Sequence, residues 1–385
     1  MCIRDRSIYS PAGLNPDNTG VIGLDDFDSS WGIWGHNLRK VLGANTEKVY
    51  ATINGKANDS QLCFSSGEMF RLIESYITDN FGEKGKFRFV IAPDDTPYAC
   101  TCPSCTAIGN TEKNATPAVT ELILRLSQRF PRHFFFTTSY LTTQQVTDKQ
   151  LPPNAGVIVS AINFPLRRID GKDAKEKAFA GQLEQWKNVT KNIYIWDYIN
   201  NFDDYLTPMP ILKIARQRLQ FFKQHGASGI FFNGSGYSYS SFDEMRTFVL
   251  SALLINPELS VDNLTASFFN QEYPAAKKWL YDYYTDLENG TQSGKRLGIY
   301  AGIRESEKAY LTPEKFIKFY DEMNDFVSNA KGKERKKLHE LQTALSYTRM
   351  EMGREHSFDA YGYAKRNGKS LQPIPQVQEL SLIHI

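Results

Sequence analysis

Six short apolar runs, at residues 61–64, 87–92, 133–140, 157–162, 193–198 and 229–232, recur along the chain, and stretches of helical periodicity separate most of them. The runs are rich in aromatic and β-branched residues, which suit buried strands. Strand, helix and strand in regular succession require parallel pairing with crossover helices, and favour a (β/α) barrel of TIM type over an open sheet. Helices are read at 67–80, 174–189 and 211–225, and another opens at Pro117 and stops at Pro131. Ser65 and Ser66 suit the first as N-caps, and Gly226 suits the third as a C-terminal stop. Such a barrel closes with eight strands. Two are therefore expected upstream, one before residue 7 and one within 21–36. On that count 61–64 is the third strand, 87–92 the fourth, 193–198 the seventh and 229–232 the eighth.

From Phe242 onward the pattern turns helical: FDEMRTFVLSALLINP, LTASFFNQEY, AAKKWLYDYYTDL, PEKFIKFYDEMNDFVSNA and ERKKLHELQTALSYTRMEM carry apolar residues at three- and four-residue spacing. This divides the chain into a partial (β/α) barrel at 7–258 and a C-terminal helical appendage at 259–379. The flanks MCIRDR and LSLIHI resemble translated sequencing-adapter read-through of the kind found in metagenomic assemblies, so 1–6 and 380–385 are set aside from fold reasoning. The natural start is expected further upstream, with any export signal.

A net charge of +2 over 385 residues excludes a strongly basic surface, so neither nucleic acid nor an anionic membrane is an expected partner. No apolar run is long enough to span a bilayer. The aromatic share is high at 13%. Aromatic rings on loops stack on sugar faces, although the same rings also build cores.

Chemistry is most concentrated in KFRFVIAPDDTPYACTCPSC, residues 86–105, where an apolar run ends in Pro93 and the consecutive acids Asp94 and Asp95. The carboxyl ends of parallel strands open onto the ligand crevice, so acids there are candidate catalytic groups. Asp197 ends another run, in WDY. Glycoside hydrolysis uses one carboxylic acid to protonate the leaving group and one carboxylate as nucleophile or base. Asp94 or Asp95 fits the first role and Asp197 the second, and adjacency of the pair raises the proton affinity of one member. Each could equally be a loop-capping aspartate. Trp34, His36 and Asn37 crowd together in WGIWGHN, as a sugar-binding wall or as a plug beneath the barrel. Tyr140, Asn163, Trp196, Tyr198, Asn233 and Tyr237 stand at or just beyond run ends and are expected to line the same pocket. Arg167 or Arg168 could hold the carboxylate of an acidic sugar through paired hydrogen bonds.

Cys100, Cys102 and Cys105 follow the acidic pair, and Cys63 ends the run at 61–64. These four sulfurs could bind a structural zinc, form disulfides in an exported protein, or remain free thiols. The chemistry expected of the acids needs no cofactor.

The ordered set WGHN, QLCF, the acidic turn, CxCPxC, YIWDY, GIFFNGSG and the segment FDEMRTFVLSALLINPELSVDNLTASFFNQEYPAA resembles the domain of unknown function 4838 family over residues 29–287. The resemblance implies a barrel similar to those of glycoside hydrolases, in particular the α-glucuronidases. It also implies a bacterial polysaccharide-degradation context, a carbohydrate substrate, and export to the periplasm or cell surface. It marks Asp94, the cysteine triplet and WDY as family features without assigning a catalytic pair. The functional expectation is a glycoside hydrolase acting on an oligo- or polysaccharide that could contain uronic acid, with a catalytically silent carbohydrate-binding barrel as the alternative.

Overall fold

The computed structural model describes residues 31–234 and 240–374. Its centre is a six-stranded, all-parallel sheet built from β1 (Trp31–Ile33), β4 (Arg88–Val90), β5 (Phe134–Ser139), β6 (Ala155–Ser160), β7 (Asn192–Tyr198) and β8 (Gly229–Asn233), paired in that order. The sheet curls into a half-barrel. Trp34, just beyond β1, brings its ring to 4.8 Å from that of Phe231 in β8, across the concave side. Among the described residues β1 and β8 are the two edges, and a closed eight-stranded barrel is not formed.

The strand expected within 21–36 is β1, whereas the one expected before residue 7 lies outside the described residues. The run at 61–64 is corrected. It belongs to β3 (Lys56–Leu62), which pairs antiparallel with β2 (Tyr50–Ile53) in a separate hairpin, and β1 lies directly beside β4. The physical reason is the turn: Asn54 and Gly55 both take positive φ, 53° and 74°, in the two-residue connection whose twist suits an antiparallel ribbon.

Strand alternation divides the sheet into two faces. Val90, Ala92, Phe136 and Ile158 point inward, with Tyr194 and Trp196 packed on them. Phe89, Ile91 and Phe135 point outward onto α2 (Gly67–Phe81) and α4 (Thr116–Arg129), while Val157, Val159, Ile193 and Ile195 point outward onto α5 (Ala174–Lys187) and α6 (Leu212–Gln224). β1 reaches its neighbour through Gly32, where an added Cβ would stand 2.3 Å from the Phe89 ring. Ser66 caps α2 by accepting from the backbone N–H groups of Glu68 and Met69, and Asp173 caps α5 by accepting from that of Lys175.

The chain then runs through α7 (Asp243–Ile255), α8 (Val261–Glu272), α9 (Lys277–Thr291), α10 (Ile303–Ala309), α11 (Pro313–Asn329) and α12 (Gly332–His356) to a small β-hairpin, Ala364–Asn367 with Ser370–Pro373. These helices share one apolar core with α6, from Ile211 and Ile214 through Phe242 and Tyr284 to Phe316 and Leu345. Within it the Tyr283 and Phe319 rings stack at 3.6 Å. Buried Glu288 of α9 accepts from the Leu212 and Lys213 N–H groups at 2.8 and 3.0 Å, satisfying the open N-terminus of α6. Burial pushes the Glu288 carboxyl up, against those hydrogen bonds. No helix among the described residues is long and apolar enough to cross a membrane.

Candidate active site

The C-terminal ends of the parallel strands open onto an aromatic wall. Trp34 and Trp196 stack with centroids 5.3 Å apart and planes inclined by 16°, and Phe231 meets both edge-on. Trp31, Phe136 and Tyr194 continue the wall toward the floor of the half-barrel. The indole N–H groups of Trp34 and Trp196 are buried without a hydrogen-bond partner among the described residues.

His36 sits at the rim, its ring 6.1 Å from Tyr140 and 6.5 Å from Trp196. Its Nδ1 lies 2.6 Å from the Pro93 carbonyl, which can only accept, so Nδ1 carries a proton and Nε2 bears the lone pair in the neutral ring. This bond ties the segment after β1 to the turn that carries the acids. Asn37 opens the short helix α1 (Leu38–Leu42) without a side-chain capping bond.

The two acids of that turn have different surroundings. Asp94 is mostly covered and takes a 2.5 Å ion pair from Arg39 Nε, while its backbone N–H donates to Gln61 Oε1 at 3.0 Å and its carbonyl accepts from Gln61 Nε2 at 3.2 Å. Burial pushes its carboxyl above the usual range, with Arg39 and His36 opposing. Asp95 is exposed, and its carboxylate neighbours the Tyr140 hydroxyl. Burial and the charge of Asp95 push that hydroxyl up to about 12, so Tyr140 remains a donor at neutral pH. Tyr198 adds a second hydroxyl; burial raises it, the Ser160 hydroxyl opposes, and the neighbouring Tyr300 and Asp95 add to the rise.

Asp197 is placed elsewhere. In β7 the inward positions are Tyr194, Trp196 and Tyr198, so Asp197 faces the helices with Ile193 and Ile195, at 0% exposure. There Arg218 of α6 holds both carboxylate oxygens, through Nε at 2.9 Å and through Nη2. The same guanidinium donates to the Pro165 carbonyl at 2.8 Å and lies 4.5 Å over the Phe164 ring. The strand's period of two thus separates this carboxylate from Asp94 and Asp95, and the expected pairing of the three in one pocket is not formed.

Arg167 is engaged by Asp173 at 2.9 Å and by Asp170 and Glu176 at 3.5 Å, so its charge is already met; Arg168 is exposed. Asn163 is exposed beyond β6, and Asn233 ends β8 half-buried, its carbonyl accepting from Ile199. Tyr237 lies outside the described residues. The sequence reading misses Arg39, Gln61, Ser160 and Tyr300. Tyr300 arrives from the helical segment more than a hundred positions after Tyr198, in a loop secured by Asn201, which exchanges hydrogen bonds with Ala301 at 2.7 and 3.1 Å. No local signal marks such a residue. Gln61 is detectable as a polar residue inside an apolar run.

Behind the acidic turn the four cysteines converge. Cys63 follows β3, Cys100 lies in the loop, and Cys102 and Cys105 sit at the start of the short helix α3 (Pro103–Ile108). Their sulfurs all lie within 4.8 Å of one another, and none is in a disulfide.

Fold and site together define an α/β half-barrel protein with aromatic rings and acids gathered at the C-terminal ends of its strands. Residues 37–286 match the family described as Domain of unknown function (DUF4838), and the chain belongs to that family. Among solved structures it is similar to a protein described as a GH138 enzyme targeting pectin rhamnogalacturonan II, at 10% identity and a TM-score of 0.33, over 74% of this chain and 46% of that one. The chain thus spans under half the length of that enzyme. No curated protein matches it significantly in sequence.

Proposed function

We propose that the chain is a carbohydrate-active protein of glycoside hydrolase type, in which sugar rings lie against the Trp34–Trp196 wall and Asp95 transfers the proton. The observation that carries this reading is the position of Asp95: an exposed carboxylate beyond a parallel strand end, with the Tyr140 hydroxyl as a neighbour and stacked indoles at the same end of the sheet. A neighbouring tyrosine that stays protonated can donate to the carboxylate without competing for its role in proton transfer. Asp94, paired with Arg39 and bracketed by Gln61, holds the turn in place. The second carboxyl group of a two-carboxylate hydrolysis is not Asp197, which faces the helices.

That orientation of Asp197 also favours a second reading, a barrel that binds carbohydrate without cleaving it. A screen of aryl glycosides and uronides with the chain and its Asp95→Asn variant separates the two. Turnover that disappears with Asp95 supports hydrolysis. Oligosaccharide binding by both proteins with turnover by neither supports the silent binder, and absence of both binding and turnover removes the carbohydrate reading.

A further inference from the structure

Four cysteines from two separate pieces of backbone meet at one point behind the acidic turn, three of them buried and Cys102 half-buried. The Cys63 sulfur stands 3.7 Å from that of Cys102 and 3.8 Å from that of Cys105. A disulfide needs about 2.05 Å. A zinc ion at about 2.3 Å from each of four tetrahedral sulfurs sets them about 3.8 Å apart along every edge. These two separations match the tetrahedral edge and are far from a covalent bond, and all four sulfurs lie within 4.8 Å of one another.

We infer that Cys63, Cys100, Cys102 and Cys105 form a structural zinc site. Donors around the sulfurs support the assignment. The Thr52 N–H points to Cys100 at 3.2 Å, the Cys105 N–H to Cys102 at 3.4 Å, and the Ser65 hydroxyl lies 3.0 Å from the Cys105 sulfur. Such bonds spread the charge of a tetrathiolate centre, which carries a net −2 with a divalent ion, and groups of this kind tune metal sites. Binding turns four thiols into thiolates and releases their protons to solvent, and zinc changes neither its electron count nor its oxidation state. With all four positions filled by sulfur, the ion has no open place for substrate, so its role is to hold the fold.

What it holds is specific. The β2–β3 hairpin supplies Cys63, and the chain that has just left Asp94 and Asp95 supplies the other three sulfurs. The Thr101 N–H donates to the Thr52 carbonyl at 2.8 Å, adding a second stitch between the same two pieces. Gln61, two residues before Cys63, grips the backbone of Asp94 from the other side. The ion would therefore fix both ends of the acidic turn against the hairpin. The metal site stands whether or not the cleft cleaves sugar.

The test uses the full chain purified under reducing, anaerobic conditions. Elemental analysis should find one zinc per chain, retained through gel filtration. Exchange for cobalt should produce the thiolate charge-transfer and tetrahedral d–d absorption bands of a four-sulfur site. Alkylation followed by peptide mapping should leave these four cysteines unmodified until a strong chelator is added. Ser65→Ala, which keeps all four ligands and the helix cap at Ser66, should bind zinc about 10–100-fold more weakly, and Cys102→Ser should lose stoichiometric metal. Protein that remains free of metal after reconstitution with zinc under reducing conditions, or native peptides joined by disulfides among these cysteines, would overturn the assignment. Uniform alkylation of all four sulfurs in zinc-treated native protein would do the same.

Discussion

Arg218 clasps the Asp197 carboxylate from the helix side of the sheet, both side chains being essentially without solvent exposure. A buried pair of this kind gains little over an apolar replacement, but breaking it strands one charge in the interior. Arg218→Ala should therefore cost about 3–5 kcal/mol of stability, and Asp197→Asn, which leaves Arg218 charged, should also be strongly destabilising. Urea denaturation measures both. The cleft chemistry of the fraction that remains folded should be unchanged in Asp197→Asn. A variant that is as stable as the parent but inactive would return Asp197 to the catalytic set.

Asp95 and Tyr140 make the opposite prediction, since one is exposed and the other only partly covered. Asp95→Asn should lower kcat/KM by about 10²–10⁴, the range of positioned proton transfer. Tyr140→Phe removes the hydroxyl that neighbours the Asp95 charge and, if it donates to Asp95 in the transition state, should cost about 10- to 100-fold. Thermal midpoints of both variants should stay close to that of the parent. A Tyr140→Phe protein with undiminished kcat would mean that the hydroxyl does not orient Asp95 in the transition state.

The placement of Asp197 is legible in the chain. Expecting Trp196, Asp197 and Tyr198 together in one pocket conflicts with strand geometry, because successive residues of a strand point to opposite faces and the three cannot share one side. The hairpin is equally legible, because Asn54-Gly55 between two alternating runs is a strong two-residue turn signal. The core strands and the caps at Ser66 and Asp173 follow from local pattern, and the acids at the end of β4 stand where strand ends place them. Arg39 and Tyr300 are not legible. Their roles depend on which loops the tertiary fold brings to the cleft, and neither stands in a local pattern that points to Asp94 or to Tyr198.

His356, at the end of α12, places its ring nitrogens 2.7 Å from Asp359 and 2.9 Å from Glu307. Burial works to lower its pKa, but the hydrogen bonds and charges of Asp359 and Glu307 outweigh it and raise the value. A histidine raised in the folded state contributes fully below its unfolded pKa of about 6.5, and the contribution is lost as pH climbs through the folded value. His356→Gln should therefore destabilise the protein by up to about 1 kcal/mol at about pH 6 and by less at about pH 9. Chemical denaturation of both proteins at the two pH values measures this. A difference that grows with pH would contradict the assigned ion pairs.

The Trp34–Trp196 pair gives the sharpest test of the cleft as a sugar site. A pyranose face covering one of these indoles would gain the apolar contact that aromatic rings supply. Trp196→Ala should therefore weaken oligosaccharide binding about tenfold or more, read by titration calorimetry, while Trp196→Phe should retain part of the affinity because a flat ring remains. Trp186 serves as the contrast within the same protein: it is fully buried on the helix side and donates to the Ser139 hydroxyl at 3.1 Å. Its replacement by Phe should lower stability without changing the affinity of the folded fraction. Sugar should also quench the fluorescence of Trp34 and Trp196 and leave that of Trp186 unaltered. If affinity survives in Trp196→Ala, the aromatic wall is core packing and the ligand lies elsewhere along the strand ends.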